Sequence, residues 1–262
     1  MAGLVFGGQV RIANYTKSEG KRSYIQSTPF EGSTKAGPFE IQAFPVDHSV
    51  FGSHAILCKS ASGKKLVYSG DFRRHGPKGN LTDDSLRQIA SLGPFDVFVT
   101  EATNAADASP LGEKDVLNKV VQIISDCRGL VLIGASAVDF FRLETIRQAA
   151  LTSRRELAIP VKTAYLLHDL KASGITDLPR IEDFRIFFRQ KKRLAVWEEE
   201  ILHTYRPAIL EANDVQGRQP SLVLFASFYD FNELIDICPV PGSVYILSQS
   251  EPFGCVPEPV EK

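Results

Sequence analysis

Apolar and polar positions along this chain fall into two textures. Before about residue 111 the apolar residues come in short runs. Phe39 to Val46, His54 to Lys59 and Lys64 to Tyr68 predict strands. The last two are joined by Ser60-Ala61-Ser62-Gly63, whose small residues suit a hairpin turn. Asp83 to Leu92 predicts a helix, with Asp83 or Asp84 as its cap and Leu86, Ile89 and Ala90 on one face. Asp96 to Thr100 predicts a further short strand. Residues 1 to 38, polar and rich in Gly, Ser and Lys, read as irregular structure or a short hairpin near Val10 to Ile12.

After the boundary near Pro110 to Gly112, wholly apolar runs alternate with helical patterns. Glu113 to Asp126 predicts a helix with Val116, Val120, Ile123 and Ile124 on one side. Leu130 to Ile133, Leu157 to Val161, Phe184 to Phe188, Leu222 to Ala226 and Val244 to Leu247 predict strands. Val138 to Leu151, Ala164 to Ala172, Ala195 to His203 and Phe231 to Ile237 predict helices. Apolar strands alternating with helices imply a mostly parallel sheet covered on both faces.

Composition adds little to this picture. At 44% hydrophobic and 23% charged residues, the chain has the make-up of an ordinary globular protein. A formal net charge of −1 gives no bulk signature of a nucleic-acid binder, but a local basic groove needs only a suitable distribution. Cys58, Cys127, Cys238 and Cys255 are scattered without a CxxC pair, so neither a disulfide framework nor a zinc knuckle is indicated. Cys58 and Cys127 read as buried thiols. The N-terminus lacks a signal-peptide pattern and no apolar run is long enough for a membrane span, so cytoplasm is the expected location.

Two segments carry candidate chemistry. Phe44-Pro45-Val46-Asp47-His48-Ser49 and Tyr68-Ser69-Gly70-Asp71-Phe72-Arg73-Arg74-His75-Gly76 both stand at strand ends. There a rigid sheet can deliver polar side chains to a site. A His and an Asp so placed are suitable zinc ligands. Taken singly, a strand-end histidine is more often structural than metal-bound.

The run from Phe39 to Asn104 resembles the metallo-β-lactamase superfamily. Within it, the resemblance is to the β-CASP nucleases, the group of ribonuclease J and the endonucleases that process mRNA 3′ ends. The resemblance rests on VDHS at 46 to 49, YSGDFRRHG at 68 to 76 and VTEATN at 99 to 104. It implies that His48 binds one metal and Asp71 bridges two. Glu101 would hold a metal-bound imidazole and mark the start of the inserted β-CASP domain. VLIGASAVDFFRLETIRQAA at 131 to 150 and the stretch from Pro220 to Phe253 resemble parts of that domain. Ser136 and Arg142 are then candidates to contact a phosphate or support the loop over the substrate. Their plainer readings are a turn former and a solvated helix residue.

The implied fold is α/β: a partial metallo-β-lactamase αββα sandwich over residues 1–111, followed by a β-CASP-like α/β domain over residues 112–262. The implied activity is metal-dependent hydrolysis of RNA, with two zinc ions in a full-length parent. The family's HxHxDH motif is absent, and no histidine follows His203. The chain therefore reads as the middle of a longer protein, with weak or no zinc binding and no nuclease activity by itself. A non-catalytic RNA- or partner-binding pseudo-nuclease and another hydrolase of the same superfamily are the alternatives. Expected partners are RNA, with single-stranded DNA as the variant substrate, and a second copy or a homologue; a membrane is not among them.

Arg73 and Arg74 are candidates for phosphate contact, although alternation lets at most one of them face a site. His75 could reach the metals or a phosphate, or anchor its own loop. Between Arg180 and Arg193, six basic residues interleave with Phe184, Phe187 and Phe188. These aromatics either stack bases or form a core strand before a solvated RQKKR turn. Trp197 reads as core, and Glu198, Glu199 and Glu200 as an exposed first helical turn.

Overall fold

The computed structural model describes residues 9–10, 25–26, 32–101, 112–226 and 228–248, and its secondary structure divides between two compact units. An antiparallel pair, β1 (Gln9–Val10) and β2 (Ile25–Gln26), forms a two-stranded sheet of its own.

The first unit is a five-stranded sheet in the order β3-β4-β5-β6-β7. Its strands are β3 (Ser33–Ala36), β4 (Phe39–Pro45), β5 (His54–Lys59), β6 (Lys65–Tyr68) and β7 (Val97–Val99). β3 to β6 form an antiparallel meander. β7 returns parallel to β6 after helix α1 (Gly79–Ser91). β3 corrects the reading of residues before Phe39 as irregular. Ser33-Thr34-Lys35-Ala36 has no apolar alternation to signal a strand, yet it pairs with β4 as a polar edge.

Helix α1 begins four residues earlier than expected, and neither Asp83 nor Asp84 caps it. Its buried stripe is Gly79, Thr82, Ser85 and Ile89, while Ala90 is exposed. Thr82 and Ser85 can turn inward because their hydroxyls are bonded. Thr82 Oγ1 donates to the Arg73 carbonyl at 2.9 Å, and Ser85 Oγ to the Pro45 carbonyl at 2.5 Å. A Cβ at Gly79 would stand 2.0 Å from the Arg74 carbonyl oxygen, a backbone atom with little room to yield. Gly79→Ala is therefore expected to destabilise the unit by about 2 kcal/mol, as overpacking does. An unchanged urea midpoint would show that the Arg74 turn gives way freely.

The two faces of this sheet differ. Phe44, Ala55, Leu57 and Val67 are buried together with Ile89 of α1. Side chains alternate across a pleated sheet, so the intervening residues form the opposite face. Register aligns Ile41, Cys58, Leu66 and Val97 in one row and Ala43, Ile56, Tyr68 and Val99 in the next. This face is apolar but poorly covered: Leu66 is 37% exposed, Tyr68 50%, Val97 47% and Val99 45%.

The second unit alternates strands and helices as expected. It contains α2 (Glu113–Asp126), β8 (Val131–Gly134), α3 (Phe140–Thr152), β9 (Glu156–Pro160), α4 (Val161–Ala172), β10 (Arg185–Phe187), α5 (Val196–Thr204), β11 (Ile209–Leu210), α6 (Ala212–Gln216), β12 (Leu222–Phe225), α7 (Leu234–Ile237) and β13 (Val244–Leu247). Its six strands lie in the order β11-β10-β9-β12-β8-β13, every neighbouring pair parallel. β8 and β12 are buried along their whole length, which is why they read as continuous apolar runs. β11 and α6 were not anticipated, since two apolar residues and a five-residue helix are too short to leave a periodic signal.

Cys127 is buried as expected, Cys58 half-buried and Cys238 exposed; Cys255 lies outside the described residues. Among the described residues, no helix is long and apolar enough to cross a membrane.

Candidate functional site

Strand direction builds the site in the first unit. β4 and β6 both run antiparallel to β5, and β7 runs parallel to β6. The chain therefore leaves β4, β6 and β7 at the same end of the sheet. His48, Asp71 and Glu101 lie just beyond those ends.

His48 Nε2 stands 3.9 Å from Asp71 Oδ2; the Asp71 side chain is 70% exposed and that of His48 26%. Two donors sharing a tetrahedral zinc with bonds near 2.0–2.2 Å lie roughly 3.3 Å apart. The pair therefore fits as two ligands of one ion after a small side-chain adjustment, with the exposed carboxylate free to approach. Gly70 makes the turn that presents Asp71, at φ +59. Glu101 Oε1 accepts the Phe72 N–H at 2.6 Å, and Ser69 Oγ accepts the Glu101 N–H at 3.4 Å. Glu101 thus braces the peptide next to Asp71. Among the described residues, no group of three or more His, Cys, Asp or Glu side chains is arranged to hold a metal.

The neighbouring arginines are both paired. Arg73 Nε donates to Asp47 Oδ1 at 3.1 Å, and its side chain is only 12% exposed. Arg74 Nε donates to Asp83 Oδ1 at 2.6 Å from an exposed position. His75 is exposed.

In the second unit, Ser136 is exposed in the turn before α3, and its carbonyl accepts the Asp139 N–H at 3.1 Å. Arg142 is not a solvated helix residue. Its guanidinium grips Glu113 with Nε at 3.0 and 3.1 Å and Nη2 at 2.7 Å, and Nη1 reaches Ser248 Oγ at 2.6 Å. Thr145 Oγ1 adds a bond to Glu113 at 2.7 Å. Arg142 therefore ties the start of α2 to α3 and to the residue after β13.

The basic run around β10 follows its plainer reading at Phe184 and Phe187, whereas Phe188 is half-buried and Arg189 and Lys191 of the RQKKR turn are ion-paired. Phe184 and Phe187 are buried at 4% and 5% exposure, so neither can stack a base. Arg185 pairs with Glu156, Arg189 with Asp230, and Lys191 with Glu198. Glu198 also corrects an expectation. It is buried rather than exposed, and it accepts the Ala195 N–H at 2.8 Å to cap α5. Trp197 is half-buried beside Tyr165, with ring centroids 5.1 Å apart.

Sequence reasoning passed over Asp47, Thr82, Glu113 and Ser248. Asp47 sits inside the quoted VDHS segment, and a carboxylate following Pro45-Val46 at an apolar strand end was the available signal. The other three become visible only once the helices are placed. Thr103 and Asn104, and everything from Gln249 onward, lie outside the described residues.

No protein-family model matches the chain. Ribonuclease J of Sinorhizobium meliloti is 31% identical over 148 residues, 54% of this chain and 26% of that protein. Ribonuclease J of Corynebacterium glutamicum is 25% identical over 151 residues, 56% of this chain and 21% of that protein. Ribonuclease J of Mycoplasma genitalium is 26% identical over 124 residues, 46% and 21% respectively. The chain thus spans about a quarter or less of the length of these curated relatives. Among solved structures, a protein of unknown function from Enterococcus faecalis V583 matches with a TM-score of 0.59 at 13% identity, covering 88% of this chain and 56% of that one. That likeness is one of α/β fold.

Proposed function

We propose that this chain, which belongs to the ribonuclease J-like group of the metallo-β-lactamase superfamily, contributes His48 and Asp71 to the metal site of an RNA phosphodiesterase. The observation that carries the proposal is the 3.9 Å approach of His48 Nε2 to Asp71 Oδ2 at the end of a rigid sheet. Zinc in such a site supplies a nucleophile at neutral pH and compensates charge growing on the phosphate. His48 offers one neutral nitrogen. Asp71 offers two oxygens, enough to serve two ions. Glu101 holds the Asp71 turn through Phe72.

Two side chains do not complete a zinc site, which takes three or four protein donors. Among the described residues no third donor is arranged beside His48 and Asp71, and we read the chain alone as inactive on RNA. The poorly covered apolar face of the first sheet agrees with reading this unit as part of an αββα sandwich. In an αββα sandwich that face is covered by a second sheet. We read residues 1–111 as part of the metallo-β-lactamase domain and 112–262 as β-CASP-like, with RNA as substrate.

A chimera tests this directly: the chain replaces the matching stretch of Sinorhizobium meliloti ribonuclease J, and hydrolysis of labelled RNA is followed. The chimera is expected to cleave RNA in a zinc-dependent manner and to lose roughly 100-fold or more in rate on His48→Ala, since loss of a residue that merely orients a metal ligand already costs about 10–100-fold. The chain alone should match its His48→Ala, Asp71→Ala double variant. Cleavage by the isolated chain above that background, or a chimera indifferent to His48, would defeat the proposal.

A further inference from the structure

The side chain preceding His48 is among the best-buried polar groups in the protein. The Asp47 side chain is fully shielded, and its two oxygens accept from different directions. Oδ1 takes the Arg73 Nε–H at 3.1 Å and Oδ2 the Lys78 backbone N–H at 3.0 Å. The backbone of the same residue is equally engaged. Its carbonyl accepts the Arg73 N–H at 2.7 Å, and its N–H donates to Thr82 Oγ1 at 2.9 Å. Thr82 in turn donates to the Arg73 carbonyl at 2.9 Å. Residue 47 is thus bonded to residue 73 through both backbone and side chain, and both are clipped to helix α1.

This knot lies one residue before His48 and two residues after Asp71. We infer that Asp47 and Arg73 are positioning residues that set the spacing of His48 Nε2 and Asp71 Oδ2. Arg73 then acts on the site through Asp47 rather than by touching a phosphate. The inference rests on reading His48 and Asp71 as donors of one site. A carboxylate is required because both of its oxygens meet donors. Asn at 47 would turn an NH2 group toward either the Arg73 Nε–H or the Lys78 N–H, replacing a bond with a clash of donors. Lys at 73 keeps the charge but loses the directed Nε–H.

The test is NMR of the full chain with labelled histidine, read in two ways. One readout is the contact between the His48 ring and the Asp71 side chain, which needs no metal. The other is line broadening at residues 48 and 71 during titration with Co2+, which reports even weak binding. Asp47→Asn is expected to remove the ring contact and to weaken Co2+ broadening roughly 10–100-fold, the usual effect of losing a residue that orients a ligand. Arg73→Lys should shift both readouts the same way by less. Ser85→Ala removes a different anchor of the same helix and should preserve both. A ring contact and Co2+ response in Asp47→Asn equal to those of the parent would overturn the inference, as would equal losses in Ser85→Ala. Absence of Co2+ broadening in the parent chain would count against the donor reading alone, and the ring contact would still decide the positioning role.

Discussion

Arg155→Met should lower the thermal midpoint of the second unit by about 10 °C. Arg155 is 8% exposed, and its guanidinium serves backbone carbonyls only a few residues apart in sequence. Nη1 donates to Gly129 at 2.7 Å, and Nη2 donates to Cys127 and to Ile124, the latter at 3.3 Å. A longer contact from Nη1 reaches Leu222 at 3.5 Å. Ile124 lies in the last turn of α2, where carbonyls lack partners within the helix, and a cation there also opposes the helix dipole. Methionine fills much of the space but strands those oxygens away from water. Each buried acceptor left unpaired costs about 1–3 kcal/mol, and hydrogen bonds from a charged donor lie at the upper end. With partial relaxation the loss is about 3–5 kcal/mol, and roughly 2–4 °C follows each kcal/mol in a unit of this size. Circular dichroism melts would check it, with exposed Arg193→Ala as a control expected to stay within about 0.5 kcal/mol. A midpoint for Arg155→Met no lower than that of the control would mean water reaches those carbonyls.

The parallel sheet was legible because burial on both faces writes itself into the sequence. Val131 to Gly134 and Leu222 to Phe225 are apolar without interruption, and no competing pattern overlaps them. The early strands and their hairpin were legible through Ser60 to Gly63. The start of α1 was not legible, for a reason tied to the site. Thr82 and Ser85 occupy buried positions that a hydropathy reading reserves for apolar residues, because the Thr82 hydroxyl is bonded to Asp47 and Arg73 beside the candidate metal donors and the Ser85 hydroxyl to the Pro45 carbonyl at the end of β4. The helix therefore looked shorter than it is, and Asp83 and Asp84 looked like caps. The site shows the same division. His48 and Asp71 were visible as motif residues at strand ends. Asp47 was not distinguished from its neighbours, since only the tertiary structure shows that Arg73 and Lys78 converge on it. Arg73 reads from the sequence as one of two candidates for phosphate contact, and only the tertiary structure shows its side chain against the buried Asp47 carboxylate.

The open face of the first sheet leads to the second large expected effect. Replacing Leu66, Val97 and Val99 together by threonine should reduce the chain's binding of a hydrophobic dye and any self-association through this face. The three residues lie next to one another across β6 and β7: Leu66 pairs with Val97, and Val99 follows on the same face beside Tyr68. All are at least 37% exposed, so little packing is lost when they change. Threonine keeps the β-branched shape of Val97 and Val99 and brings one suited to strands at position 66. The expected change in stability of the monomer is therefore small, within about 1 kcal/mol. Large contiguous apolar patches are uncommon on monomeric proteins, and β7 adds an edge whose outer side has no strand partner among the described residues. Sedimentation velocity across a concentration series separates the possibilities. A parent chain that associates and a triple variant that stays monomeric with an unchanged melt would identify this face as the seat of association. If the triple variant associates as strongly as the parent, self-association lies elsewhere, and the face would lose its standing as the surface a second sheet covers. A triple variant that melts far below the parent would mean that these residues are already packed within the chain, and the reading of an incomplete sandwich would fall with that result.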